Sequence, residues 1–457
     1  MQISRIPPEM LVREGAWDPV ILCGPMAGFL HQGGESSLGY WGGVVVDGTR
    51  TPESPVVGAV DVGFVELQLN ADCLLPAPPA NRFSLATGDV LVTKSPPIKA
   101  AWISPCVHHH RFDSTCYAVR NLTTAQGIWL AFCLNQFEYS FCLARRSVAS
   151  AMPRINSSEL YRFPVPELPV GFEMLADGVA DCIDQRALSS MELLRLKLEV
   201  SERVHSLMPE IAVNAANDQA AEKRWWIRFG SAFLEDSLVP SHVKAGQFQQ
   251  ALRRTGGWCS IGGLLSIARG HGARLGRNAS EYWSLRLSDV SNDLRVPLAV
   301  SKGYFGNRNV YGEPLEAGEV LHSLLATNPR TVFVQERPDE TIFPTDHWVR
   351  LQFKETPGAW ALVMQTEPIA RQLKSMTTGA AQQFATPAAV EQLVLPPVPL
   401  PIRMSWDGRL RRWQKQRNEL DNRWHDLVDR VYQLLRRTES KYGRWMTPFF
   451  RETVHGA

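Results

Sequence analysis

No cysteine stands after Cys259, and none of the eight forms a Cys-x-x-Cys pair. They are scattered at 23, 73, 106, 116, 133, 142, 182 and 259, which suits free thiols in a reducing compartment rather than a disulfide framework. Long hydrophobic runs are lacking too: nothing approaches the roughly 18 consecutive apolar residues of a membrane-spanning helix. The opening Met1–Gly15 has no apolar core behind a basic start, so no secretory signal is expected and the expected location is cytoplasmic. Charge of one sign is also missing. With 48 basic and 46 acidic residues the net charge is +2, which excludes a histone-like polycation and leaves local basic patches open. There is no Walker-type phosphate loop and no Gly-x-Ser-x-Gly. Nor is there an Asn-Pro-Pro-aromatic or Asp-Pro-Pro-aromatic tetrapeptide, the signature of amino methyltransferases; Asn328-Pro329-Arg330 does not qualify. The chain is therefore not expected to be an enzyme, and no cofactor is expected.

What is present is an ordinary globular composition, with 44% apolar and 21% charged residues over 457 positions, enough for two to four domains. It contains a long internal repeat. Gly88-Asp89-Val90-Leu91 matches Gly318-Glu319-Val320-Leu321, and Val119-Arg120 matches Val349-Arg350, each at an offset of 230. Gly127-Ile128-Trp129 matches Gly358-Ala359-Trp360 at 231. Met152 through Pro166 aligns with Gln382 through Pro396, again at 230, and both copies run through prolines into a helical segment. Four matches in order point to duplication of a whole domain with its appended helix.

The first helical segment is expected over Phe172–Met208. Val179, Cys182, Arg186, Ser189, Leu193, Leu196 and Val200 alternate spacings of three and four, and Pro209 stops the helix. The second is expected over Ser405–Tyr442, with a seam of Leu420, Trp424, Leu427, Val431 and Leu434, ended by Gly443 and Pro448. Their charges are opposite. Phe172–Met208 carries seven acidic and four basic residues, net −3, and Arg403–Arg444 twelve basic and six acidic, net +6. Complementary charge and matching seams predict an antiparallel coiled coil of two helices, each roughly 55 Å long at 1.5 Å per residue. Strands are expected at Gly43–Val46, Val56–Leu69, Asp89–Thr93, Thr331–Gln335 and Trp348–Phe353. Helices are expected within Gly127–Arg145, Gly358–Lys374 and Ala220–Gln250. The fold class is α+β: two duplicated globular domains, each followed by a long helix.

Particular residues carry a family resemblance. Gly88-Asp89-Val90-Leu91 resembles a "G-D-hydrophobic-L" strand. Arg154-Ile155-Asn156 … Leu160 … Phe163-Pro164-Val165-Pro166 … Leu168-Pro169 resembles an "N-I-S … L … I-P-hydrophobic-P-P-L" signature before a helix. Trp258–Gly270 resembles a "W … L-G-D-I … G" domain opening. Together with the order domain, helix, domain, helix, the chain resembles the specificity subunit of type I restriction–modification systems. It departs at Gln382-Gln383-Phe384-Ala385-Thr386, which lacks the Asn, at Pro153-Arg154, which lacks the Gln before the Asn, and in the Arg- and Trp-rich second helix.

The resemblance implies target-recognition domains at 1–170 and 213–400, spacer helices at 171–212 and 401–446, and a tail at 447–457. Each domain would read one DNA half-site. The helices would set the distance between them and dock two copies of a DNA adenine methyltransferase subunit, with a restriction or translocase subunit as a further partner. A 55 Å ruler spans at most roughly 16 base-pair steps of 3.4 Å. The loops supply matching chemistry, since Lys and Arg attract phosphates, Arg forks onto guanine and Asn onto adenine. Candidate DNA-binding residues are Lys94, Lys99, His109, Arg111, Arg145, Arg146 and Arg154 in the first half. In the second half they are Arg269, Arg274 and Arg277 in a Gly-rich loop, then Lys302, Tyr304, Asn307 and Arg308. Trp406, Trp413 and Trp424 are candidate partner contacts, on a partner subunit or the other helix, with burial in the chain's own core as the other reading.

A structural scaffold would share the fold and read few bases. Pro338-Asp339 with Gln352-Phe353-Lys354 resembles a metal-dependent nuclease pattern, but Gln352 stands where a metal-binding carboxylate belongs. Cys106, His108, His109, His110 and Cys116 match no standard zinc spacing, so no metal is expected.

Overall fold

A computed structural model of the chain describes residues 38, 41–49, 56–74, 81–107, 110–136, 140, 143, 154–162, 165–208, 249, 251–254, 257–268, 281–298, 301–304, 313–326, 329–377 and 384–442. These form mixed helix and strand. The expected helix Ala220–Gln250 lies, but for Gln249, outside them. Two compact units emerge: Met1–Leu194 with Gln416–Arg451, and Arg195–Lys415 with Glu452–Ala457. Each long helix thus contributes to both. No helix among the described residues is long and apolar enough to cross a membrane.

Unit one is built on strands that are apolar on both faces. β1 (Val44–Asp47), β6 (Cys116–Arg120), β3 (Val90–Thr93) and β4 (Ala100–Trp102) lie in the order β1-β6-β3-β4, all neighbours antiparallel. Alternation sends Val90, Val92, Tyr117 and Val119 to one core and Leu91, Cys116 and Ala118 to the other. The first core is closed by α1 (Thr124–Leu134) and by seam residues of α3 (Phe172–Ser206) and α7 (Leu400–Tyr442). The second is closed by Phe112 of β5 (Arg111–Phe112), Val57 of β2 (Val56–Val57) and Leu85. Most of the stretch expected as a strand over Val56–Leu69 is not one. After Val57 a 3-10 turn forms at Ala59–Asp61, where the Asp61 carboxylate accepts from the Gly58 N–H at 2.9 Å, and Val65 sits at φ 63°. A capped turn and a left-handed residue cannot continue a ladder.

α1 starts three residues before the expected Gly127, because Thr123 and Gln126 form a reciprocal cap: the Thr123 hydroxyl accepts from the Gln126 N–H and the Gln126 amide oxygen from the Thr123 N–H. It ends at Asn135, whose side-chain amide donates to the carbonyls of Ala131 and Ala100, each at 2.7 Å. A short helix α2 (Ser157–Arg162) follows.

Unit two has a four-stranded sheet in the order β12 (Thr331–Phe333), β11 (Val320–Ser323), β14 (Trp348–Phe353), β8 (Leu265–Ala268). A three-stranded sheet joins β10 (Ser301–Tyr304), β9 (Glu281–Leu285) and β13 (Ile342–Pro344). A two-stranded ladder pairs β7 (Cys259–Ser260) with β15 (Val394–Leu395). The expected helix over Gly358–Lys374 is two helices, α4 (Pro357–Met364) and α5 (Glu367–Ser375). The break is at Thr366, whose hydroxyl donates to the Val363 carbonyl at 2.7 Å, and Pro368 has no N–H to continue the ladder. α6 (Pro387–Glu391) begins on a Thr386 cap.

Details recur 230 residues apart. Gly88 and Gly318 both have φ 87°, a conformation that favours glycine. The buried Asp89 accepts from Arg120 at 3.2 Å and the buried Glu319 from Arg350 at 2.5 Å. The Ile155 N–H donates to the Lys94 carbonyl at 2.9 Å, and the Ala385 N–H to the Leu324 carbonyl at 2.8 Å.

The seven residues of the first seam are all buried on α3. The second seam is shifted by one at two places: Leu420 and Leu434 are only half-buried, and Asp421 and Leu435 take the inward positions. The charge of Asp421 draws it inward, as described next.

Candidate nucleic-acid interface

The β3–β4 hairpin of unit one brings three of the sequence candidates to one end of the sheet. Lys94 directly follows β3, Lys99 directly precedes β4, and the segment from Arg154 attaches through the Ile155 N–H to the Lys94 carbonyl. Lys99 and Arg154 are exposed. Lys94 is not: its ammonium pairs with the Asp47 carboxylate and lies 4.3 Å from the Tyr117 ring centre. Its charge is thus directed to Asp47 and the Tyr117 ring. The Tyr117 hydroxyl donates to the Ile155 carbonyl at 3.1 Å. Burial and then the nearby Asp47 charge push its pKa up, so it stays a donor, while Arg154 pulls weakly the other way. Arg111 is half-buried within β5, which pairs with β2.

In unit two, Lys302 and Tyr304 lie on β10 opposite Trp283 and Glu281 of β9. His109, Arg145, Arg146, Arg269, Arg274, Arg277, Asn307 and Arg308 lie outside the described residues. Sequence reasoning passed over His347 and Phe384, which stand 230 residues after Tyr117 and Arg154. Their rings stack at 5.5 Å, with His347 exposed beside Asp346 at 3.8 Å. The repeat offset, carried residue by residue, was the signal that could have found them.

The tryptophans are turned inward. Trp424 lies in the unit-one core, 6.3 Å from Phe132 and 5.2 Å from the Arg186 guanidinium. Trp406 donates to Glu199 at 2.8 Å, and Trp413 lies under Arg295 at 5.5 Å. All three are buried within the chain, and Trp406 and Trp424 each meet the other long helix, at Glu199 and Arg186.

The two long helices meet through charges. In unit one, Asp181 accepts from Arg423 at 2.8 Å. Deeper, Arg186 pairs with Asp421 and with both carboxylate oxygens of Glu66, at 2.6 and 2.9 Å. Arg417 bonds Asp421 at 3.1 Å, the Arg186 carbonyl at 2.7 Å and the Ser190 hydroxyl at 3.0 Å. Burial alone would favour a neutral Arg186, but Glu66 and Asp421 outweigh it and push its pKa up. In unit two, Glu199 accepts from Arg409 at 2.5 Å as well as from Trp406. Desolvation opposes its charge, and these two donors overcome that and lower its pKa.

Among the described residues no three His, Cys, Asp or Glu side chains are grouped to hold a metal ion. Cys116 is buried in β6 and its thiol is pushed up to about 12 by desolvation, so it is neither a ready ligand nor a nucleophile.

No protein-family model and no curated protein matches the sequence. Among solved structures, the chain is similar to the type I restriction–modification system S subunit from M. genitalium, at 10% identity and a TM-score of 0.35, covering 87% of this chain and 93% of that one. It is similar to the HsdS subunit from Thermoanaerobacter tengcongensis, at 12% identity and a TM-score of 0.25, covering 86% and 90%. A third structure, concerning complex assembly and conformational transition of the type I R-M system, has 13% identity and a TM-score of 0.26 over 85% and 89%.

Proposed function

We propose that the chain is a non-catalytic DNA sequence-recognition subunit, which reads a two-part site and directs a partner DNA adenine methyltransferase to it. The observation that carries this reading is the recurring frame. The same carboxylate–arginine pair, the same left-handed glycine and the same strand-to-signature hydrogen bond occur 230 residues apart. This supports a duplication of one recognition domain. A repeated scaffold with different loops is what two independent half-site readers need, because the grooves are read by side chains on loops and helices while the frame only positions them.

The helix contacts support antiparallel pairing. As numbers rise on α3 from Asp181 through Arg186 to Glu199, they fall on α7 from Arg423 through Asp421 to Arg409. Such a pair would fix the spacer between half-sites. The DNA-facing residues of this reading are Lys99 and Arg154, with His109, Arg145, Arg146, Arg269, Arg274, Arg277, Lys302, Tyr304, Asn307 and Arg308. The test is long-read methylation mapping of the source strain with and without the gene. The expected result is a bipartite methylated motif that disappears on deletion. An unchanged methylome overturns the reading.

A further inference from the structure

Four residues other than glycine have positive φ among the described residues, and two of them are counterparts in the repeat. Val65 sits at φ 63° and Leu294 at φ 64°, 229 residues apart. Both are fully buried. A branched apolar residue is ill suited to this conformation, which glycine or asparagine takes with less strain. The same misfit at the same place in both units marks a functional demand.

The surroundings match as well. β4 and β12 are edge strands of the two four-stranded sheets. The Trp102 N–H at the end of β4 donates to the Val65 carbonyl, and the Phe333 N–H at the end of β12 to the Leu294 carbonyl, each at 2.8 Å. The left-handed residue therefore holds the open edge of its sheet. The residue after it reaches a long helix. Glu66 turns both carboxylate oxygens to Arg186 of α3, at 2.6 and 2.9 Å. Arg295, held by Asp293 at 2.7 Å, lies 5.5 Å over the Trp413 ring of α7. In unit two the helices also reach back: Gln414 donates to the Leu294 carbonyl at 2.9 Å, and the Lys197 ammonium to the Asn292 carbonyl. One residue thus joins a sheet edge to a helix in each unit. Moving its φ to about −60°, the ordinary right-handed value, would swing one attachment against the other by about 120°.

We propose that Val65–Glu66 and Leu294–Arg295 are positioning residues: stiff joints that fix the angle of each sheet on the long helices of its own unit, and through it the spacer between the half-sites. The spacer rests on the recognition reading above; the joint does not. Helix length sets the reach of a ruler, but a reader swinging on its joint would accept several spacings. Glycine would satisfy this backbone without steric cost and leave the turn loose. Val65 instead locks it, packed into the core that α1, α3 and α7 close.

The test compares glycine and alanine at each joint of the full chain. Both remove the buried side chain, and only glycine frees the backbone. In source cells carrying Val65→Gly or Leu294→Gly, methylation mapping should show unchanged half-site bases. Methylation at sites with a spacer one base pair longer or shorter should rise about fivefold, the freedom that glycine adds. Val65→Ala and Leu294→Ala should keep the single spacer. Glu66→Ala leaves Val65 in place and should loosen the spacer as glycine does, so it carries the test should Val65→Gly not fold. In the purified chain, spin-labelled unnatural residues at Lys99 and Leu188, both exposed and both in unit one, report the angle directly. Their distance distribution should broaden in Val65→Gly and Glu66→Ala and stay narrow in Val65→Ala. Distances that do not broaden overturn the joint whatever the methylome shows, and equal broadening with alanine assigns the effect to lost packing and overturns it too. A single spacer in Leu294→Gly and Glu66→Ala, or altered half-site bases, overturns the link to spacing, while a bipartite motif lost on deletion leaves the recognition reading standing. Broadened distances with no bipartite motif in the parent strain keep the joint and remove the recognition reading.

Discussion

His322 is fully buried in β11, where its Nδ1 lies 2.9 Å from the Thr331 hydroxyl, and the residue 230 positions earlier is Val92. Burial drives its pKa from 6.5 down to about 4. The folded value is depressed, so the unfolded chain takes up the proton first as pH falls. The stability is therefore complete above about pH 6.5, declines through the window down to pH 4, and the full loss is about 3 kcal/mol at 1.36 kcal/mol per unit. His322→Val should flatten that acid limb, read as urea-unfolding free energy against pH; an unchanged slope would remove His322 as its source. Gly358 makes a different demand. Its N–H donates to the Asp407 carboxylate at 2.6 Å, and a Cβ there would stand 2.8 Å from that carboxylate and 3.1 Å from the Phe333 ring. Gly358→Ala is expected to cost about 1–3 kcal/mol through overpacking, seen as a lowered thermal midpoint. The repeat made this glycine visible in the sequence; the reason for it is a close approach that no linear pattern records.

For the elements, the buried charges decide the register of α3 and α7. A charge buried without a partner is far more costly than an apolar residue in its place, so Arg186 admits Asp421 and Glu66 as neighbours and disfavours any shift that separates them. Arg186→Met should cost about 3 kcal/mol, because the half-buried Glu66 loses its partner and the buried Asp421 keeps only Arg417. The double substitution Glu66→Met, Arg186→Met, which leaves Asp421 to Arg417, should recover most of that loss. Denaturant midpoints of the three chains would check this; a double variant as unstable as the single one would contradict it. The same charges explain what the heptad reading missed. Spacing favoured Leu420 as the seam residue, and hydrophobicity would agree. Asp421 takes the place because two guanidinium groups, Arg186 and Arg417, meet it there. Strands were legible where alternation was clean, as at Trp348–Phe353. They were misread at Val56–Leu69, where Gly58, Asp61 and Gly63 turn the chain despite its apolar content.

At the scale of the whole molecule, the proposed division of labour makes a prediction about exchange. Replacing residues 1–170 with the equivalent domain of a relative should change one half of the methylated motif and leave the other half and the spacer as they were. Methylation mapping of the chimera checks it, and a change in both halves would contradict independent reading. The repeat, the two long helices, their opposite charges and the α+β class could all be read along the chain, because each is a statement about residue order, spacing or composition. Which cations reach outward could not. Lys94 and Lys99 are five residues apart on one hairpin, yet Lys94 is drawn in by Asp47 and Tyr117 while Lys99 stays in solvent. Likewise the three tryptophans are buried by partners such as Phe132, Glu199 and Arg295, far from them in sequence. Periodicity is local and survives in the sequence. The fate of a charge or an indole depends on partners that only folding brings near, and those were settled in three dimensions.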